Sequence, residues 1–202
     1  APDVATTSSS SLPEPAFSAP NSCAGTSVNF TNQSTVASGN ITNYLWNFGG
    51  GSTSTLTNPS YFFATSGTKT VTLTATTAGG CSATVSQTMN IFPNPRALAS
   101  APTVCEGSST SFSNTSTISS GTMTYSWDFG DGTTSSQRNP VHTYTAGGTY
   151  TALLTTTSQH GCADTQTVAV IVRSAPLADA GIDQNICEGN SLTLTAAGGS
   201  SY

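Results

Sequence analysis

The stretch YSWDFGDGTT at residues 125–134 determines the fold of the segment around it. Trp127 and Phe129 are two residues apart, the spacing that places both rings on one face of a β-strand. The Gly130-Asp131-Gly132 that follows supplies the permissive dihedral angles and the side-chain acceptor that a tight turn needs. The stretch therefore predicts a central strand that presents aromatic rings to a core and ends in a turn.

The same pattern recurs along the chain. A second version, YLWNFGGG, occupies residues 44–51 and lies 81 residues earlier. The sequence ICEG at residues 186–189 echoes VCEG at residues 104–107 and begins a third copy. Three further pairs share the offset of 81 or 82 residues: Cys23 and Cys105, Pro59 and Pro140, and Cys81 and Cys162. Repetition at a fixed period indicates similar domains in series, here two complete repeats and the start of a third.

The strands of each repeat alternate threonine with apolar residues, as in TKTVTLT at residues 68–74. This period of two predicts strands with one buried face, and no segment has helical periodicity. We expect an all-β fold of tandem immunoglobulin-like antiparallel β-sandwiches. The predicted core of the second repeat consists of Trp127, Phe129, Tyr144, Tyr150, Ala152 and Leu154. The matching positions of the first repeat are Trp46, Phe48, Phe63, Lys69, Val71 and Leu73, with the stem of Lys69 along the rim of the sandwich.

Short segments rich in proline and alanine precede the first two repeats and suggest the domain boundaries. We predict an extended N-terminal arm or linker at residues 1–15, a first domain at 16–93, a second at 94–173, and the incomplete start of a third at 174–202. The sequence opens without a charged, apolar leader, so either a signal peptide was removed or the chain is a fragment of a longer protein, and we expect both.

Charge and hydropathy exclude two classes of partner. Only 6% of the residues are charged and the net charge is −5, whereas about 25% is typical of soluble proteins. Four lysines and arginines in total cannot form the basic surface that nucleic acid requires. The longest apolar run, at residues 168–172, is far shorter than the ~20 residues of a membrane span.

The five cysteines lack the Cys-x-x-Cys spacing of metal sites and are predicted to form structural bridges. We expect one disulfide per complete repeat, Cys23 with Cys81 and Cys105 with Cys162. Cys187 belongs to the incomplete third copy, and its partner is expected beyond residue 202. Such bonds persist in an oxidising compartment, which favours an extracellular location.

Three segments of each repeat resemble the signature of PKD (polycystic kidney disease) domains. In the second repeat these are residues 125–134, NPVHTY at 139–144 and GTYT at 148–151. The first repeat keeps the frame at residues 44–51, 58–63 and 67–70 but lacks both aspartates, as a degenerate member would. The resemblance covers about residues 16–173 and implies buried family positions at Trp46, Phe48, Trp127 and Phe129. It also implies extracellular modules that act as spacers, adhesive surfaces or mechanically resistant links.

The candidate chemical residues lie in the second repeat. Asp128 and Asp131 could ligate Ca²⁺ in their turn, with hydrogen bonding in the turn as the alternative that we favour. His142 on a strand and His160 in a loop have no Gly-x-Ser-x-Gly motif beside them, so we expect packing or hydrogen bonding rather than catalysis. We predict no catalytic residue, no metal and no cofactor, with Ca²⁺ as the exception left open.

Glycosylation is the one covalent modification that the sequence suggests. Asn-x-Ser/Thr sequons occur at Asn29, Asn32, Asn40 and Asn114. Glycan would hydrate a surface that is poor in charge and would block edge-to-edge strand association.

We therefore expect a non-enzymatic extracellular structural or adhesive protein: a rod of β-sandwich repeats in a cell-surface adhesin or filament. Strand complementation between neighbouring copies, by residues 187–202 or the arm at 1–15, is one route of assembly. Its partners would be copies of itself or adjoining repeats, and glycans or extracellular matrix. The alternative is an accessory binding or spacer module of a secreted enzyme that degrades polysaccharide or protein.

Overall fold

The computed structural model describes residues 11–174 and residues 187, 188, 191 and 193. All regular structure in these residues is β-strand, which confirms the predicted all-β fold. In the same residues no helix is long and apolar enough to cross a membrane. The predicted arm up to residue 10 and nearly all of the predicted third domain lie outside the described residues. The strands are β1 (Pro13–Glu14), β2 (Phe17–Ser18), β3 (Ser22–Cys23), β4 (Ser27–Asn29), β5 (Thr31–Asn32), β6 (Thr35–Val36), β7 (Ile41–Asn47), β8 (Thr53–Ser54), β9 (Ser60–Phe62), β10 (Gly67–Thr77), β11 (Ser82–Phe92), β12 (Ala99–Ser100), β13 (Val104–Cys105), β14 (Ser109–Ser111), β15 (Ser113–Asn114), β16 (Met123–Asp128), β17 (Thr134–Ser135), β18 (Val141–Thr143), β19 (Gly148–Ser158) and β20 (Ala163–Arg173).

The chain forms two compact units. Unit 1 consists of Ala1–Pro95 together with Ile118–Thr122 and Ser158–Ala163. Unit 2 consists of Arg96–Thr117, Met123–Thr157 and Asp164–Tyr202. The tip of the β19–β20 hairpin, although it belongs to the second sequence repeat, is therefore part of unit 1.

Unit 1 is built on a five-stranded sheet of order β3-β11-β10-β7-β8, with the short ladders β1-β6, β2-β5 and β4-β9 beside it. In β10 the buried residues alternate with threonines, because successive side chains of a strand point to opposite faces. Strand β1 pairs with β6 through Pro13 and Val36. Part of the segment assigned to the arm is thus a strand of the first domain, since its backbone groups are satisfied in a ladder.

The core of unit 1 surrounds Trp46, which is fully buried. The ring of Phe17 from β2 meets Trp46 edge-on at 5.1 Å, and Phe30 meets it at 5.5 Å. The indole Nε1 donates a hydrogen bond of 2.9 Å to the carbonyl oxygen of Leu56. The large sheet and the short ladders therefore share one aromatic core. Its buried members are Phe17, Val28, Phe30, Trp46, Phe48, Phe63, Val71, Leu73, Met89 and Ile91.

Unit 2 repeats this plan with a five-stranded sheet of order β13-β20-β19-β16-β17 and the ladders β12-β15 and β14-β18. Tyr144 is buried, and Tyr150 is half-buried against it with ring centroids 4.1 Å apart. In unit 1 the position of Tyr150 is taken by Lys69, whose Nζ donates to Thr65 Oγ1 over 3.0 Å. The buried apolar residues of unit 2 are Phe112, Trp127, Phe129, Tyr144, Ala152, Leu154, Val168, Val170 and Val172.

The disulfide joins Cys23 to Cys162, with Cα atoms 5.7 Å apart. The predicted pairing of Cys23 with Cys81 is therefore wrong. Cys23 lies beside Phe92 at the end of β11, whereas Cys81 precedes the first residue of that strand. Eleven strand residues span roughly 35 Å at about 3.4 Å each, and a disulfide tolerates Cα separations of only about 7 Å.

The predicted pairing of Cys105 with Cys162 is wrong for the same reason. Cys105 pairs with Arg173 at the end of β20, and Cys162 precedes the start of that strand. Equal offsets in the sequence identified the repeat correctly. They could not show that the two cysteines of one repeat lie at opposite ends of a long strand.

Two neighbouring leucines on β19 test the packing of unit 2. Leu154 is fully buried and Leu153 is 37% exposed. Leu154→Ala is expected to lower the free energy of unfolding by about 2–5 kcal/mol, because a cavity replaces core contacts. Leu153→Ala, the matched control, should change it by less than about 1 kcal/mol. Urea unfolding followed by Trp127 fluorescence in a Trp46→Phe background measures both, and equal losses would contradict the assigned strand faces.

Candidate functional site

The turn between β16 and β17 holds both candidate calcium ligands. Asp128 Oδ1 accepts a hydrogen bond of 2.9 Å from the backbone N–H of Gly130. Asp131 Oδ1 accepts from the backbone N–H and the hydroxyl of Thr133, at 3.0 and 2.6 Å. Gly130 has a φ of 80°, which favours glycine. Two carboxylate hydrogen bonds thus fix the backbone of the turn at Gly130 and Thr133, and a third holds the Thr133 hydroxyl.

His142 on β18 closes this turn from the neighbouring strand. Its Nε2 lies 2.6 Å from Asp131 Oδ2, and because a carboxylate only accepts, the ring nitrogen is the donor. The imidazole stacks on Phe129 at 4.3 Å with an interplanar angle of 4°. His142 therefore connects the charged turn to the aromatic core, a packing and hydrogen-bonding role such as the sequence analysis favoured.

The first repeat has the same geometry with different residues. Asn47 Oδ1 accepts from the backbone N–H of Gly49 over 2.8 Å, as Asp128 does in the second repeat. Tyr61 stacks on Phe48 at 4.3 Å and 6°, in the place of His142, and its hydroxyl donates to Ser52 Oγ over 3.0 Å. Two chemically different sets of side chains thus hold the same turn. The structural needs of the turn therefore explain why the motif recurs.

The pKa values of two groups at the turn, Asp131 and Tyr144, are shifted in opposite directions. Burial alone raises the pKa of Asp131, but hydrogen bonds from Thr133 and His142 and the charge of His142 together lower it below 3.8. Burial, with the charge of Asp131, raises the pKa of Tyr144 to about 12. The phenol therefore stays neutral and donates to the carbonyl oxygen of Phe129 over 3.0 Å.

The described residues offer little for metal or catalytic chemistry. Within residues 11–174 and the four described later ones, no three His, Cys, Asp or Glu side chains group closely enough to hold a metal ion. Asp128 and Asp131 are two carboxylates, and both already accept backbone N–H bonds. A calcium ion at this turn, and the absence of catalysis, both stay predictions.

The sequons differ in accessibility. Asn29 and Asn40 are exposed, and Asn32 is half-buried. Asn114 is only 4% exposed, and its side chain bonds the backbone N–H of Ser116 through Oδ1. Glycosylation stays a prediction, and the burial of Asn114 disfavours a glycan there on the folded repeat.

A cleft of about 470 Å³ opens beside β9 and β10 in unit 1. The stacked Phe48 and Tyr61 line it, Phe62 is 54% exposed at its side, and the Lys69 ammonium lies at its edge. No salt bridge engages Lys69 within the described part of the chain. The cleft therefore offers aromatic faces next to one cation.

The disulfide and its surroundings were missed by the sequence analysis. His160, assigned to a loop, stacks on Phe92 with ring centroids 3.6 Å apart and an interplanar angle of 5°. Phe92 is the strand partner of Cys23, and His160 lies two residues before Cys162. The equal offsets assign Cys23 and Cys162 to different repeats, but they carry no signal that these two cysteines pair.

Fold and site together define a protein of tandem immunoglobulin-like β-sandwiches whose recurring turn is structural. The PKD domain family model matches residues 11–92 and again residues 92–172. The chain belongs to the PKD domain family.

The relatives include two bacterial proteases. Over 98 residues, 48% of this chain, it is 41% identical to the pre-pro-metalloprotease PrtV of Vibrio cholerae. Over 54 residues, 27% of the chain, it is 43% identical to the collagenase ColA of Bacillus cereus. The chain spans 11% and 6% of the length of these proteins. The crystal structure of the PKD1 domain of PrtV is 39% identical, with 40% of this chain and 96% of that domain covered and a TM-score of 0.37.

The Asp131–His142 pair predicts a pH dependence for unit 2. Because the pKa of Asp131 is lowered on folding, its stabilisation is complete above 3.8 and is lost as the pH falls through the lower folded value. Asp131→Asn should therefore cost about 1–2 kcal/mol at neutral pH and progressively less in acid. Asp128→Asn, which reproduces Asn47, is the control and should cost much less at neutral pH. Urea titrations at several pH values measure the difference, and a cost for Asp131→Asn that does not shrink in acid would contradict the sign.

Proposed function

We propose that this chain is a non-enzymatic, extracellular structural or adhesive segment in which PKD repeats are covalently tied so that they resist tension. The observation that carries the proposal is the bond from Cys23 in the first repeat to Cys162 in the second. A disulfide confined to one repeat would stabilise that repeat alone. A bond from one repeat to the next closes a covalent loop that includes residues of both repeats.

The position of the bond along the chain strengthens this argument. The two cysteines are 139 residues apart in the sequence, so the loop that they close contains Trp46, Trp127 and most of both cores, with Phe17 and three valines of β20 outside it. Force applied at the two ends of the chain passes directly through the sulfur atoms. The residues inside the loop carry no tension while the bond is intact. Strands β1, β2 and β20 lie outside the loop and remain under load.

The surface chemistry agrees with an extracellular role. Disulfides are stable outside the cell and rare in the reducing cytosol. The exposed strand faces carry threonine, and the hydroxyls of Thr74 and Thr84 bond across strands at 2.7 Å. Such a surface suits contact with copies of the same chain, glycans or matrix. Assembly by strand complementation stays a prediction, since most of the segments concerned lie outside the described residues.

The second candidate is an accessory binding or spacer module of a secreted enzyme. It is supported by the PKD-type relatives, which are a metalloprotease and a collagenase. The aromatic cleft at Phe62 and Lys69 supplies a surface on which a protein or polysaccharide chain could stack. In this case the chain would hold a catalytic domain against its polymer.

Single-molecule stretching tests the first proposal. With the disulfide intact, full unfolding should release only the residues outside the loop. Addition of reductant should lengthen the chain by about 480 Å, since 139 residues extend about 3.5 Å each. Cys23→Ser should show the long extension without reductant. Equal extensions of the wild-type chain in both conditions would show that its repeats are not shielded.

Co-sedimentation with insoluble gelatin and with cellulose tests the second candidate. Binding that Phe62→Ala weakens about tenfold, the loss of one well-packed aromatic contact, would support an accessory module. Leu98→Ala, an exposed residue outside the cleft, is the matched control. No sedimentation with either polymer would count against this candidate and leave the structural role as the better explanation.

A further inference from the structure

We propose that the cleft beside β9 and β10 in unit 1 binds an aromatic side chain with a carboxylate next to it, as in a Tyr-Glu segment of an extended peptide. The cleft has a volume of about 470 Å³, and Phe48, Tyr61 and Lys69 are among the residues that line it. This inference deepens the second candidate function and rests on it, because it names the chemistry of the chain that the module would bind. In unit 2 the same place is filled, and the groups that fill it indicate the ligand.

A ladder of four rings occupies this place in unit 2. His142 stacks on Phe129 at 4.3 Å, and Tyr144 meets His142 edge-on at 4.6 Å. Tyr150 completes the ladder: its ring stacks on Tyr144 at 4.1 Å, and its hydroxyl donates to the carbonyl oxygen of Ala146 over 2.9 Å. Tyr150 is thus a side chain of the protein itself in the position that a ligand ring would take in unit 1.

The ladder of unit 1 ends after three rings. Tyr61 stacks on Phe48 at 4.3 Å, and Phe63 meets Tyr61 edge-on at 4.7 Å. The residue that corresponds to Tyr150 is Lys69, which supplies an unbranched stem instead of a ring. The ladder therefore lacks its fourth ring, and the cleft lies beside the three that remain.

The backbone of the turn after β7 also leaves the cleft open. A methyl group built on Gly130 in unit 2 would lie 2.6 Å from the carbonyl oxygen of Thr151, so that turn is pressed against β19. A methyl group built on Gly49, the matching glycine of unit 1, would lie 4.0 Å from the carbonyl oxygen of Thr70. The turn of unit 1 therefore stands farther from its strand. Room for a ligand comes from this backbone placement as well as from the missing ring.

The second group that unit 1 lacks is a carboxylate. Asp131 lies in the turn of unit 2, and the corresponding residue of unit 1 is Gly50, which lines the cleft. The Lys69 ammonium at the edge of this cleft donates to the Thr65 hydroxyl over 3.0 Å and to the carbonyl oxygen of Ser66 over 3.5 Å. Among the described residues no carboxylate forms an ion pair with it. Both of its acceptors are neutral, so its charge is available to an anionic ligand.

Both missing groups indicate one class of ligand. An aromatic residue followed by an acidic one carries a ring and a carboxylate at neighbouring positions. The ring would pack against Tyr61 and the exposed Phe62, since aromatic rings attract one another in stacked and edge-on arrangements. The hydrogen bonds of the Lys69 ammonium are exposed, so its flexible stem can move to meet the carboxylate. A neutral sugar would stack on the same rings but would leave the lysine without an anion, which favours the peptide.

Saturation-transfer difference NMR on the 202-residue chain tests the inference with the peptide acetyl-Gly-Tyr-Glu-Gly-amide. We expect the strongest transfer to the tyrosine ring protons and a Kd of about 1 mM, since the ligand offers one ring and one charge. A peptide with leucine in place of tyrosine should bind about tenfold more weakly, because it cannot stack. A peptide with glutamine in place of glutamate should bind about threefold more weakly, because an exposed ion pair contributes little.

Three variants locate the binding on the protein. Lys69→Tyr supplies the ring that Tyr150 supplies in unit 2, so it should fill the cleft and abolish binding. Lys69→Gln should leave the ring contacts in place and remove the preference for the glutamate peptide over the glutamine peptide. Arg138→Gln, which removes an exposed cation of the second repeat, is the matched control and should change neither result. Thermal unfolding of each variant shows that it is folded.

Equal binding of the tyrosine and leucine peptides would overturn the inference, as would a glutamate preference that persists in Lys69→Gln. Transfer to cellotetraose but to none of the peptides would overturn it as well, since the cleft would then bind a sugar. Sedimentation with gelatin without transfer to any peptide would overturn this inference alone and leave the second candidate function standing. Transfer to the tyrosine peptide without sedimentation would support the site while counting against anchoring to those two polymers.

Discussion

The packing of one buried indole in each repeat is the interaction on which the rest of the structure depends. Trp46 and Trp127 are both fully buried. Trp46 packs against Phe30 and Trp127 against Phe112, two rings that lie between short strands. Each indole also stacks on the phenylalanine that follows its own strand of the large sheet, Phe48 or Phe129. Without these contacts the short ladders would have only two or three residue pairs each, too few to be stable alone. The indoles therefore hold together layers that backbone hydrogen bonding could not.

The turn that follows β7 in one repeat and β16 in the other is held by different side chains in the two repeats. Asn47 and Asp128 make the same bond to the backbone two residues later. Tyr61 and His142 stack at the same distance on Phe48 and Phe129. The fold requires an acceptor and a flat ring at these places and does not require a particular residue. This freedom explains why one repeat can lose both aspartates and keep the fold.

Much of this could be predicted from the sequence, because the relevant signals are local. Alternation along a strand identified the buried faces, and the spacing of Trp127 and Phe129 placed both rings in one core. The disulfide was beyond such reasoning. Its pairing depends on which end of β11 and β20 each cysteine occupies, and that follows from the parallel pairing of β3 and β13 with those strands. Parallel pairing of two-residue strands leaves no pattern in the sequence.

The threonine-covered faces of β10 have a consequence for the conditions in which the protein can work. Thr68 and Thr70 are exposed and Thr72 is half-buried, with Lys69 as the one charged residue of the strand. Hydroxyl groups are hydrated without counter-ions, so dissolved salt has almost nothing on this face to screen. Brackish or dilute water, and wide swings in ionic strength, should leave its hydration nearly the same.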